Sequence, residues 1–395
     1  MIDAAQVERW RSDTPGAEKR VHLNNAGASM VPSVVHQAIV GHLELERDAG
    51  GYEAAAIRHD EIQDTYRVLA DLVGSRPSNI GIVASATAGF VQAMSSFDFK
   101  PGDAILTSRA DYTSYQIHYL ALSQRLGVRV LYAEDLPEGG VDPDSVRATL
   151  AREKCRLVHV SWIPTHSGMV QDVAAVGAAC EQAGVPFIVD ACQAVGQLPI
   201  DVAALRCDYL SVTARKFLRG PRGIGFMYAS DRALERGDHP LFVDMRGARW
   251  VAPDRYEIDV TAKRYEDWEF AYGLVLGLRA AAEYALEAGV SRCGQRARDL
   301  ASHLRAALRE IPGITVLDRG RDLCAIVTAE VDGMHAQQVV ERLASRGINS
   351  AASLKWYGLL DFGPRGVESA VRLSPHYYNT HEEIDSAVAA LAELV

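Results

Sequence analysis

Two rhythms of apolar and polar positions divide this chain. Before residue 80, "SVVHQAIVGHLELERD" and "EIQDTYRVLADLVG" repeat apolar residues at helical spacing. From about residue 80, short apolar runs alternate with amphipathic segments. The runs are "NIGIVA", "DAILTS", "VRVLYAE", "CRLVHVSWI", "VPFIVD", "DYLSVT" and "GIGFMY". Between them lie helical stretches such as "AGFVQAMSSF", "SYQIHYLALSQRLG", "PDSVRATLAREK" and "DVAAVGAACEQAG". Apolar runs separated by helices predict a mostly parallel sheet covered on both faces. A long helix, "AYGLVLGLRAAAEYALEAG", follows. The remainder reads helix, strand "GITVLD", strand "LCAIVTAEV", helix "HAQQVVERLASRG", strand "AVRLSP", helix "HEEIDSAVAALAEL". The expected architecture is α/β: a large domain over residues 18–288 on a mostly parallel seven-stranded sheet, and a smaller C-terminal α/β domain over 289–395. The N-terminal segment 1–17 is assigned to the smaller domain.

Composition narrows the function. The chain has 395 residues, 48% of them hydrophobic, enough for a large core and more than one domain. A net charge of −10 without a long basic run argues against nucleic-acid binding. No apolar stretch is long enough to span a membrane. The polar start "MIDAAQVERWRSDTPGAEKR" does not read as a signal peptide. Six scattered cysteines without a CxxC pair suit free thiols in a reducing cytoplasm, not a disulfide framework or zinc site. No metal is expected.

In a doubly wound sheet, ligands bind outside the carboxyl ends of the strands. Small residues, "SATAGF", follow "NIGIVA" and open a helix; backbone N–H groups there can cradle a phosphate, with the Thr87 hydroxyl beside them. Asp111-Tyr112 follows "DAILTSRA", "PTHSG" follows "VHVSWI", and Lys216 follows "DYLSVTAR". Asp190 closes an apolar run, where a carboxylate is costly without a partner. Each feature alone reads as an ordinary cap or turn. A desolvated lysine, a carboxylate and a phosphate cradle at one sheet edge together meet the needs of pyridoxal 5′-phosphate.

At these residues the chain resembles the class V aminotransferases among fold-type I pyridoxal-phosphate enzymes. That group includes cysteine desulfurases, selenocysteine lyases, isopenicillin N epimerase-like proteins and C–S lyases. The resemblance runs from "HLNNAGAS" to "YYNTHEEIDSAV" and is strongest over "VPFIVDACQAVGQLPIDVAALRCDYLSVTARKFLRGPRGIGFMY" and "RLSPHYYNTHEEID". It implies that Lys216 is the Schiff-base lysine and moves the proton at the substrate Cα. It implies that Asp190 pairs with the ring nitrogen, Gln193 bonds near the phenolic oxygen, and Tyr112 stacks on the ring. Lys216, Asp190 and Tyr112 are thus the expected catalytic set. Ala86, Thr87, Thr213 and Arg215 are expected at the phosphate, although many relatives have histidine where Arg215 stands. His166 occupies a place near the cofactor where relatives often carry asparagine. Arg372 is expected to take the substrate carboxylate, and Asn24 and Asn25 to belong to a loop lining the site. The resemblance also implies a homodimer with active sites at the subunit interface. The threonine that several desulfurases offer the neighbour's phosphate is replaced near Asp267, Trp268 and Glu269.

Cysteine desulfurases of this group carry a nucleophilic cysteine in a loop of the small domain. The corresponding stretch, "GINSAASLKWYGLLDFGPRG", has none. Cys192 lies close to Asp190, where strand alternation is expected to turn it elsewhere as a buried structural thiol. Persulfide-forming desulfuration is therefore not expected. The expected reaction is β-elimination from an S-substituted cysteine or related amino acid, with Lys355, Trp356 and Tyr357 shaping the pocket. Alternatives on the same scaffold are decarboxylation-coupled oxidative deamination, transamination and epimerisation. A non-catalytic protein that kept the fold is the remaining alternative.

Overall fold

The computed structural model describes residues 2–395. Its central sheet has seven strands in the spatial order Ile80–Val83, Gly225–Ala229, Tyr209–Thr213, Phe187–Asp190, Cys155–Ser161, Ala104–Thr107, Arg129–Tyr132. Gly225–Ala229 runs antiparallel to both neighbours, and every other pairing is parallel. The mostly parallel sheet read from the apolar runs is present. Ile80–Val83, Ala104–Thr107, Phe187–Asp190 and Gly225–Ala229 are buried at every position, which is why they lack polar alternation. Only the edge strand Arg129–Tyr132 is half-exposed throughout most of its length.

A second sheet is antiparallel, in the order Ile314–Val316, Val327–Val331, Ser369–Leu373, Ala351–Leu354. Helices Val290–Arg309, Ala336–Ser345 and His381–Ala392 pack around it. Ala351–Leu354 lies within the stretch read from sequence as a loop. It is a short edge strand without β-branched residues, so neither propensity nor alternation announces it. The sequence also concealed the exposed hairpin Ala248–Ala252/Arg255–Ile258.

One buried apolar cluster runs through both units, from Ile80 and Phe187 to Leu308 and Leu391. The long helix Tyr272–Ala288 ends at Gly289, and Val290–Arg309 begins at the next residue. The N-terminal stretch joins the two sheets' territory. Val21–His22 pairs in parallel with Ile348–Asn349, and Asn24 bridges to Ser374. This brings the loop after His22 over the carboxyl ends of the large sheet's strands.

Candidate active site

Lys216 sits in the turn between Tyr209–Thr213 and Gly225–Ala229, and buried contacts hold that turn. The Arg219 N–H donates to the Lys216 carbonyl at 2.9 Å, and Gly220 N–H donates to the Ala214 carbonyl at 2.8 Å. Arg219 takes a left-handed φ of 63°, a costly conformation for a side chain with a Cβ. Its buried guanidinium offsets that cost by donating to Thr14 Oγ1, Met30 O and Tyr377 OH, and it lies 4.6 Å from the Tyr378 ring centroid. Gly196 approaches from the other side. A Cβ there would lie 2.2 Å from the Phe217 carbonyl oxygen, so only glycine lets the two segments pack.

The turn opens onto a cleft of ≈ 260 Å³, lined by Ala86, Thr87, Tyr112, Asp190, Thr213, Arg215 and Lys216 among others. Lys216 is buried, which lowers its ammonium pKa. The charges of Arg215 and Arg372 act in the same sense, while Cys192 and Asp190 oppose them. The Tyr112 ring centroid lies 6.0 Å from Lys216 Nζ. Asp190 Oδ1 accepts from the Cys192 N–H at 2.8 Å. Ser85 caps helix Ala86–Ser95, its hydroxyl accepting from the Ala88 N–H at 3.1 Å. The first turn of that helix therefore points N–H groups at the cleft.

Arg372 lies on Ser369–Leu373 and is fully enclosed. Its Nη1 donates to the carbonyl and hydroxyl of Thr165, at 2.7 and 2.9 Å. Burial, with the charge of Arg215, lowers its pKa to about 10, and its Nε has no partner. Gln193 Nε2 donates to Ala26 O at 3.1 Å, leaving Oε1 buried and unpartnered. Arg215 is also partly enclosed, which lowers its pKa, and it donates to Gly27 O.

Three positions differ from the sequence reading. His166 is not among the cleft-lining residues. Its ring packs edge-on against Phe362, centroids 5.1 Å apart, with Nε2 3.4 Å from Asp361 Oδ2. Asn25 is likewise absent from the cleft lining. It donates to His22 O and Ser374 O and accepts from Tyr378 OH, so it ties the loop down. Asn24 is the asparagine beside Arg372, 3.5 Å from Nη2. Cys192 lines the cleft instead of turning away, because the strand ends at Asp190 and alternation stops in the turn that follows. Burial and the adjacent Asp190 raise its thiol well above the ordinary range, which keeps it protonated.

The sequence reading also missed Arg222, which lines the cleft beside Arg215 from the "GPRG" turn. A cation in the glycine- and proline-rich turn that follows the lysine was its only signal.

The residues fit pyridoxal 5′-phosphate. Arg215, Arg222 and Lys216 surround a helix N-terminus without a side-chain acid partner, which suits a phosphate dianion. Asp190 faces the cleft opposite, where it can meet a ring nitrogen. Gln193 and Arg372 are not themselves among the cleft-lining residues; both donate to Thr165 Oγ1, and each keeps one buried polar atom, Oε1 and Nε, without a partner. Among the described residues no cluster of His, Cys, Asp and Glu could hold a metal ion.

Known proteins resemble this chain over nearly its whole length. A probable cysteine desulfurase of Xylella fastidiosa is 25% identical over 98% of this chain and 95% of its own length. The apo cysteine desulfurase of Thermococcus onnurineus NA1 superposes with a TM-score of 0.90 at 22% identity, covering 100% of this chain and 98% of that one. The cystine C–S lyase C-DES, solved with its reaction product cysteine persulfide, superposes at 0.86 with 24% identity, covering 96% and 99%. Relatives named cysteine desulfurases overturn the exclusion of desulfuration drawn from the cysteine-free loop. The missing thiol describes one loop, and similarity across the whole chain outweighs it. The Aminotransferase class-V model spans residues 21–387, and the chain belongs to that family of pyridoxal-phosphate enzymes.

Proposed function

We propose that the protein cleaves the Cβ–S bond of an S-substituted cysteine or related amino acid by β-elimination. The observation that carries this reading is the enclosed Lys216 amine, its pKa lowered, in one cleft with Asp190 and beside the half-partnered guanidinium of Arg372. The names of the relatives point to sulfur amino acids. Pyridoxal phosphate, when bound, supplies an electron sink for the charge left at Cα. The Arg372 guanidinium binds the substrate carboxylate and so fixes which Cα bond faces Lys216. Lys216, whose ammonium form burial disfavours, removes the Cα proton. The Cβ–S electron pair leaves with the sulfur as a thiolate, which takes a proton. The remaining enamine hydrolyses to pyruvate and ammonia. The Thr113 hydroxyl donates to Tyr357 O at 2.8 Å, which joins the Lys355–Tyr357 turn to the helix following Tyr112.

The experiment is product analysis with several S-substituted cysteines and pyridoxal phosphate, omitting any 2-oxo acid. Pyruvate with a free thiol is the expected result. Alanine with sulfur passed to an added thiol would place the protein with the desulfurases instead. Aldehyde with carbon dioxide, or no turnover until a 2-oxo acid is added, would replace elimination by decarboxylation or transamination.

The functional unit in this reading is a homodimer. Leu241, Phe242, Met245, Trp250 and Val260 are exposed, Phe242 at 82% and Val260 at 80%, far more apolar surface than a lone segment leaves to water. Part of this face adjoins Ala88, Val91 and Gln92 on the helix that opens at the phosphate cradle. A second copy seated there buries these side chains and closes the cleft's rim.

A further inference from the structure

A buried polar network lies directly behind Asp190, and the elimination chemistry makes no use of it. Ser161 Oγ lies 2.6 Å from Asp111 Oδ1 and 3.3 Å from Asp190 Oδ2. The two carboxylates thus share one hydroxyl, which has one hydrogen to give. Strand register sets this arrangement, because Ser161 pairs with Asp190 across adjacent parallel strands. Asp111 is the better-provided acceptor. Its Oδ1 also accepts from the Tyr112 N–H at 2.7 Å, and its Oδ2 accepts from Thr107 Oγ1 and Tyr119 OH, both at 3.1 Å. His159 Nδ1 stands 2.5 Å from Tyr119 OH and 3.4 Å from Asp111 Oδ2, and Phe90 and Tyr115 enclose its ring edge-on. Burial alone would raise the Asp111 carboxyl, yet the charge and hydrogen bond of His159 and the bonds from Ser161 and Tyr112 hold it below the ordinary value.

We propose that Asp111 is a positioning residue that acts on the cofactor ring through Ser161 and Asp190. Asp111 draws the single Ser161 hydrogen to itself at the shorter distance. Asp190 Oδ2 then keeps only a lone-pair neighbour behind it, and its acceptor capacity is turned to the cleft. A carboxylate left short of protein donors binds a protonated ring nitrogen more tightly than one already satisfied. The same Asp111 holds the Tyr112 backbone, so one buried anion sets two groups that face the cleft.

The inference rests on pyridoxal phosphate being the bound group. The test is titration of the full-length protein with pyridoxal phosphate and with its analogue carrying carbon in place of the ring nitrogen. The wild-type protein should prefer the natural cofactor. Asp111→Asn should reduce that preference about tenfold, the worth of a well-placed hydrogen bond to a charge, because the Ser161 hydrogen then turns to Asp190; Ser161→Ala removes that donor and should leave the preference near the wild-type value, alone or combined with Asp111→Asn. In an Asp190→Ala background neither change should reduce it further. If Asp111→Asn fails to fold, Asp111→Ala, which removes the competing acceptor outright, should give the same fall. A preference unchanged in the folded Asp111 variant, one that falls in Ser161→Ala alone, or one that still falls without Asp190, would overturn the proposal. Failure of the wild type to bind pyridoxal phosphate at all would overturn the functional reading first, and this inference with it.

Discussion

Lys216 concentrates the chemistry of this protein in one amine. Replacing Lys216 by Ala should abolish the visible absorption band that pyridoxal phosphate develops on the protein and lower turnover about a thousandfold, the scale of losing a positioned acid–base group. A surviving band would remove Lys216 from the centre of the site. Arg372→Ala should act differently. It should raise the KM for the amino acid tenfold or more, at about the worth of a charge-assisted pair, and leave cofactor affinity nearly unchanged. Unchanged KM would detach the guanidinium from the substrate carboxylate. Lys216 and Asp190 were legible because Asp190 closes an apolar run and Lys216 closely follows the next one, and chain order alone puts both at the same sheet edge. The place of Cys192 in the cleft and the part of Arg222 were not. Their directions depend on turns, where neither helical nor strand periodicity specifies which way a side chain points.

Among the elements, the edge strand Ile80–Val83 leads straight into the phosphate cradle, and a buried carboxylate supports it. Glu266 accepts from the Ile82 N–H at 2.8 Å and from Tyr66 OH at 2.9 Å. Burial raises its pKa from the ordinary glutamate range to about 7. A carboxyl whose pKa is raised on folding takes up protons in the folded state, so it favours the fold below the unfolded pKa. That contribution is lost as pH rises through the folded value. Chemical denaturation of the cofactor-free protein should therefore show stability falling between about pH 4.5 and pH 7, by up to about 3 kcal/mol from this group. Glu266→Gln cannot lose a proton and should flatten that slope. An identical slope in both proteins would show that Glu266 does not titrate in the window. The large-sheet strands were readable because burial on both faces leaves unbroken apolar runs. Ala351–Leu354 was not, since an edge strand draws its place from backbone pairing to Ser369–Leu373 rather than from its own side chains.

At the scale of the whole molecule, the exposed face from Leu241 to Val260 bears on assembly. Light scattering coupled to size exclusion should give a dimer, and Phe242→Glu should shift it toward monomer while weakening cofactor binding. A wild-type monomer at micromolar concentration would refute the paired unit. The sequence by itself determined the layered α/β architecture, the family and the order of strand-end residues, because periodicity and the chain order of motifs are local properties. Tertiary structure decided what meets across the cleft. It set Cys192 into the site, His166 against Asp361, Asn24 beside Arg372, and Asp111 behind Asp190. Those contacts join residues up to 348 positions apart. Only packing of the two sheets, with the N-terminal loop closed over them, brings such residues within hydrogen-bonding reach.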